Sequence, residues 1–98
     1  MSKPLVLGAR SFIGQAVVAS LGDVYASTRN GDLACDVRDR HQVQELLHRL
    51  RPSAIINCTG VMDGVDPRPF YETHVGGTLN LLESQRECVP TSPLILLG

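Results

Sequence analysis

The feature that most constrains this chain is an apolar run that breaks on glycine. Pro4-Leu5-Val6-Leu7 is continuously hydrophobic, as a strand buried on both faces requires, and it runs straight into Gly8-Ala9-Arg10-Ser11-Phe12-Ile13-Gly14. Beyond that loop Ile13, Ala16, Val17 and Leu21 recur at helical spacing, and Gly22 stands where a C-cap belongs. A glycine-rich turn leading into a helix suits a phosphate. The helix N-terminus offers unpaired N–H groups and partial positive charge, and a missing Cβ lets the backbone approach the anion. Gly8 is expected to make the tight turn and Gly14 to let the helix pack closely on the strand. Ser11 takes the middle position of a G-x-x-G-x-x-G spacing and adds a hydroxyl that could bond a phosphate oxygen. The expectation is a dinucleotide's pyrophosphate in this loop.

The rest of the chain repeats the alternation. Val24-Tyr25-Ala26-Ser27 reads as a second strand and Leu33-Ala34-Cys35 as a brief third. Asp39 with Gln42 three residues on reads as a capping box. Val43, Leu46, Leu47 and Leu50 then form one helical stripe, stopped by Pro52. Ala54-Ile55-Ile56 is a fourth strand. A third helix is expected from about Phe70 to Arg86, presenting Tyr71, Val75, Leu79 and Leu82, and Leu94-Ile95-Leu96-Leu97 is a fifth strand. This alternation predicts an α/β fold of Rossmann type: a doubly wound parallel sheet with strand order 3-2-1-4-5, incomplete after strand five. Residues 1–98 read as one domain. A last apolar strand without a covering helix implies either that another chain, including a second copy, covers this edge or that the sequence is the N-terminal piece of a longer one.

Composition narrows the partners. A net charge of −1 gives no basic footprint for nucleic acid. No apolar run approaches the roughly 20 residues of a membrane span, and Met1-Ser2-Lys3-Pro4 lacks the hydrophobic stretch and cleavage site expected of a signal peptide. Cys35, Cys58 and Cys88 are odd in number and widely spaced, so neither a disulfide framework nor a metal site is expected, only reduced thiols in a cytoplasmic protein. His41 and His48 read as solvated. Cofactor choice turns on the end of strand two. An acid there would bond a ribose 2′-hydroxyl, whereas arginine accommodates a 2′-phosphate. The sequence is Ala26-Ser27-Thr28-Arg29, with Arg10 in the loop, so NADP is preferred over NAD.

Taken in order, these segments resemble the NAD-dependent epimerase/dehydratase family, the extended short-chain dehydrogenases/reductases, and within it dTDP-4-dehydrorhamnose reductase-like members. Cys35-Asp36-Val37-Arg38-Asp39 is similar to the family's D-hydrophobic-x-D segment, which implies an adenine contact for Asp36 and packing by the ring for Val37. Arg51 to Gly60 resembles its "RPDVVINAAA" stretch, which implies that Cys58, Thr59 and Gly60 line the cofactor. His74-Val75-Gly76-Gly77-Thr78 resembles N-V-x-G-T, with His74 in place of asparagine. Thr59-Gly60 replaces an alanine pair. Gly76 and Gly77 suggest close backbone packing there.

The resemblance implies chemistry by a tyrosine four residues before a lysine, whose ammonium lowers the phenol's pKa. Tyr25 is followed at that spacing by Arg29 and Tyr71 by Val75, and Lys3 is the only lysine. No residue is therefore assigned a catalytic role. Two functions stay open: the NAD(P)-binding portion of an epimerase, dehydratase or reductase acting on a nucleotide sugar or related carbonyl, and a non-catalytic NADP-binding regulatory or interaction module. A flavodoxin-like phosphoacceptor is excluded by glycine and arginine where it needs an acidic pair.

Overall fold

The structure, a computed structural model, describes residues 2–28, 30–59 and 72–97. Strand β1 (Leu5–Leu7) leads into helix α1 (Phe12–Leu21) and strand β2 (Tyr25–Ser27). Helix α2 (Arg40–Leu50) and strand β3 (Ile55–Asn57) follow. After a π-helical turn (Glu72–Gly76), helix α3 (Gly77–Cys88) leads to strand β4 (Leu94–Leu96). The four strands form one parallel sheet in the order β2-β1-β3-β4.

Five strands were expected, and the described residues contain four. Leu33–Cys35 joins no ladder; its segment is folded into a turn instead, with Ala34 N–H donating to Gly31 O and Ser27 Oγ to Leu33 O. That side-chain bond from the end of β2 offers the backbone an alternative partner to a strand. With this edge segment removed, the remaining order is the expected one.

Leu5 to Leu7 are buried on both sides, which accounts for the unbroken apolar run. Leu5, Leu7 and Ile55 pack with Val43, Leu46 and Leu47 of α2 and with Leu81 and Cys88 of α3. On the other face Val6, Ile56, Ala9 and Cys58 meet Val17 and Val18 of α1. The apolar stripe of α2 falls as expected, with Leu50 at its margin. Its Asp39 cap accepts from His41 and Gln42 N–H. The Gln42 side chain closes back on Asp39 through Nε2, which donates to Oδ2 at 3.1 Å, while its Oε1 accepts from Asp36 N–H instead of the cap's own N–H. Helix α2 ends at Leu50, with Arg51 in the left-handed region (φ 46°), and Pro52 follows, buried.

Two helices turn differently from the expected pattern. In α1 the inward residues are Gly14, Val17 and Val18, while Ile13 and Leu21 are exposed. In α3 the inward face is Gly77, Leu81, Ser84 and Cys88; Val75, Leu79 and Leu82 point outward, 52%, 52% and 41% exposed. Small residues let α3 approach closely: a Cβ on Gly77 would lie 2.8 Å from Val37 Cγ2, whereas one on Gly76 would meet nothing. The expected close packing therefore belongs to Gly77 alone. Helix α3 also runs to Cys88 rather than Arg86; Phe70 and Tyr71 lie outside the described residues. Leu96 and Ile95 on β4 are 50% and 43% exposed, one on each face of the sheet.

Candidate functional site

The chain moves from β1 to β2 on one side and from β2 across to β3 on the other, so the sheet reverses its winding at β1. Open α/β sheets form a crevice at such a point, outside the carboxyl ends of the strands. Here the loop after β1 and the loop after β3 stand at that place, and the glycine positions where they meet leave no room for side chains. Gly8 has φ +72°, and a Cβ there would lie 2.8 Å from both the Cys58 carbonyl carbon and the Thr59 nitrogen. A Cβ on Gly14 would fall 2.0 Å from Gly8 O. Both expected glycine roles hold, one by turn geometry and the other by close approach.

Ser11 organises the loop between them. With φ −67° and ψ 165° it is the N-cap of α1, and its Oγ accepts from Gly14 N–H at 3.0 Å. The same hydroxyl donates to Gly8 O at 2.8 Å and to Cys58 O at 3.1 Å. A serine has one hydroxyl proton, so that proton is directed to protein carbonyls and not outward to an anion. The backbone around it is similarly committed: Ala9 N–H donates to Ser27 O, Ser11 N–H to Gly8 O and Cys58 N–H to Leu7 O. The N–H groups of Phe12 and Ile13, the first two of α1, find no acceptor among the described residues. These are the orphan donors every helix start leaves, and here they adjoin the crevice.

The opposite wall is set by Asn57. Its Oδ1 accepts from Thr59 N–H at 3.1 Å and from Thr59 Oγ1 at 2.6 Å, a turn in which the side chain stands in for backbone. Reading motifs alone did not single out Asn57 or Ser27 as organisers. The signal for Asn57 was present: an asparagine closing an apolar strand just before Cys-Thr-Gly.

Other expected positions fall into a second group. Val37 is 4% exposed, packed against Gly77, and its carbonyl accepts from Asn80 Nδ2 at 2.9 Å. The Asp36 carboxylate accepts from Arg38 N–H and Nε at 3.0 Å each and from Nη2 at 2.9 Å. Arg10 is exposed and has no carboxylate partner among the described residues. Phe12, at the start of α1, is 92% exposed. Arg29 and Gly60 lie outside the described residues. Among the described residues no acid stands at the end of β2, where Thr28 Oγ1 donates to Asn30 O.

The thiols are all free. Burial, and then the Asp36 and Asp39 carboxylates, push the Cys35 thiol up to about 12. Burial raises Cys58 as well. Cys88 is raised by burial and Glu87 against the lowering pull of Arg51 and Arg40. His48, expected to be solvated, is exposed but in contact with Arg51 Nη2 and Cys88 Sγ at 3.3 Å each. The Lys3 Nζ sits 4.6 Å over the Tyr25 ring and 3.5 Å from Asp23 Oδ1. The described residues contain no cluster of three metal-ligating side chains and no helix long and apolar enough to cross a membrane.

Comparison with known proteins agrees with this geometry. UDP-glucose 4-epimerase of Rhizobium meliloti (strain 1021) is 38% identical over 53 residues, which is 50% of this chain and 16% of that protein. The solved UDP-glucose 4-epimerase of Brucella ovis, in complex with NAD, superimposes with a TM-score of 0.80 at 24% identity, covering 98% of this chain and 35% of that one. The dTDP-4-dehydrorhamnose reductase of Bacillus anthracis str. Ames, in complex with NADP, gives 0.77 at 22% identity over 96% of this chain and 35% of that one. The chain thus spans about a third of the length of these solved relatives, and the likeness to them is one of fold. The model of the NAD-dependent epimerase/dehydratase family matches residues 4–98, from just before β1 to the last residue, and the chain belongs to that family.

Proposed function

We propose that this chain is the NAD(P)-binding portion of an epimerase, dehydratase or reductase that acts on a nucleotide sugar or a related carbonyl compound. The observation that carries the reading is the pair of loops at the carboxyl ends of β1 and β3, where Gly8 and Gly14 let backbone approach backbone too closely for any Cβ and the Phe12 and Ile13 N–H groups find no acceptor among the described residues. A pyrophosphate fits those donors. Bound there, the nicotinamide would supply hydride transfer. The chain's own part is to hold and orient the dinucleotide: Gly8, Phe12, Ile13 and Gly14 at the pyrophosphate, with Ser11 holding that loop from within, Cys58, Thr59 and Gly60 along the opposite wall, Asp36 and Val37 at the adenine.

NADP is the preferred cofactor in this reading. The sequence Ser27-Thr28-Arg29, which has no acid at the end of β2, and the exposed Arg10 support a 2′-phosphate over a 2′-hydroxyl. Titrating the chain with NADPH and NADH by fluorescence tests both parts. NADPH is expected to bind more tightly, and Arg10→Ala to lower its affinity while leaving NADH unchanged. No binding of either at millimolar cofactor overturns the reading. Equal affinities overturn the preference.

A second reading, a non-catalytic NADP-binding module, draws on His74 and on a sequence without a Tyr-x-x-x-Lys pair. Cofactor oxidation with a nucleotide-sugar carbonyl substrate separates the two, since only the first predicts turnover by the whole protein.

A further inference from the structure

Ser11 departs from the middle glycine of its loop type, and its geometry gives the departure a use. The two walls of the crevice belong to segments far apart in sequence, and Gly8 and Cys58 approach so closely that a Cβ at Gly8 is excluded. The β1–β3 ladder and the Cys58 N–H bond to Leu7 O bring the two segments together as far as Gly8; beyond it the loop leaves the sheet, and glycine has the largest conformational freedom of any residue type. The Ser11 hydroxyl spans the gap. It donates to Gly8 O on its own wall and to Cys58 O on the opposite one, while its oxygen accepts from Gly14 N–H. Three backbone groups, from the end of β1, the start of α1 and the end of β3, therefore meet on one side-chain atom. A glycine at this position would leave all three without that partner.

We propose that Ser11 is a positioning residue for the cofactor: its hydroxyl latches the loop after β1 to the Cys58 carbonyl after β3, fixing the N-terminal N–H groups of α1 where the pyrophosphate binds. The inference rests on the cofactor reading above. It also assigns the anion to backbone donors alone, since the hydroxyl proton is committed to the two carbonyls. Ser11 thus acts through the backbone and does not touch the phosphate.

The test compares Ser11→Ala, Ser11→Gly and Ser11→Thr in the full chain with two probes, NADPH and adenosine 2′-phosphate. The second probe has the adenine and 2′-phosphate but no pyrophosphate. Ser11→Ala and Ser11→Gly are expected to weaken NADPH about tenfold, the scale of one lost hydrogen-bonding group, with adenosine 2′-phosphate affinity unchanged. Ser11→Thr keeps a hydroxyl and is expected to restore NADPH affinity. Equal weakening of both probes means a loss of folding rather than of positioning and overturns the proposal. Wild-type NADPH affinity in Ser11→Gly overturns it too. If the wild-type chain itself binds no NADPH, the cofactor reading falls first, which separates the two failures.

Discussion

Gly14 stands so close beneath Gly8 that a methyl group on it would lie 2.0 Å from the Gly8 carbonyl oxygen. The obstacle is backbone on both sides, the turn of β1 above and the first turn of α1 below, so neither can swing aside like a flexible side chain. Gly14→Ala is therefore expected to push α1 away from the sheet, destabilise the chain by about 1–3 kcal/mol and abolish cofactor binding. Urea unfolding and NADPH titration of the variant check this together; a stable Gly14→Ala chain with intact affinity would show the helix can move freely.

The paired glycines at the start of α3 are expected to respond in opposite directions. A Cβ at Gly76 meets nothing, so Gly76→Ala adds helix propensity and stabilises by about 0.5–1 kcal/mol. A Cβ at Gly77 meets Val37 Cγ2 at 2.8 Å, and valine has little rotamer freedom with which to yield. Gly77→Ala is expected to cost about 1–3 kcal/mol. The sign difference in urea midpoint is the measurement, and equal shifts would refute the packing.

Ser84 is fully buried on α3, and its hydroxyl is the buried side-chain polar atom without a hydrogen-bond partner among the described residues. Desolvating a hydroxyl without compensation is unfavourable. Ser84→Ala is expected to raise stability by about 1 kcal/mol, read as a higher thermal midpoint. A lower midpoint would mean that the hydroxyl has a partner in solution.

Alkaline pH is expected to weaken the fold through Cys35. In the unfolded chain the thiol loses its proton near 9.0, but burial and the two neighbouring aspartates hold it on to about 12 in the native state. Between those values the native state binds more protons than the unfolded one, so stability falls as pH rises. Cys35→Ala should show a smaller drop in urea midpoint from about pH 8 to about pH 10.5 than the parent chain. An identical drop in both would remove Cys35 from the account.

The order of elements was legible in the chain because the relevant signals are local. Leu5-Val6-Leu7 ending on Gly8 announces a buried strand and a turn, and Asp39 with the stripe from Val43 to Leu47 announces a capped helix. The hydroxyl of Ser11 in the middle of that loop was also legible as a residue type. Its direction was not: whether a hydroxyl faces an anion or the carbonyls of Gly8 and Cys58 depends on a residue 47 positions away.

Helix faces show the same division. The apolar stripe Val75, Leu79 and Leu82 is a correct helical signal that points outward, because α3 turns Leu81 and Cys88 into the core and sets Gly77 against Val37, where a missing side chain permits a closer approach. Leu33 to Cys35 has a strand's composition, but the Ser27 hydroxyl takes the Leu33 carbonyl and folds the segment into a turn. By itself, then, the sequence determined the strand–glycine loop–helix unit, through spacing and backbone freedom within a few residues. Only the tertiary structure decided which faces pack, which carbonyls Ser11 binds and how Asn57 shapes the second wall, since those depend on groups that only folding brings within hydrogen-bonding distance.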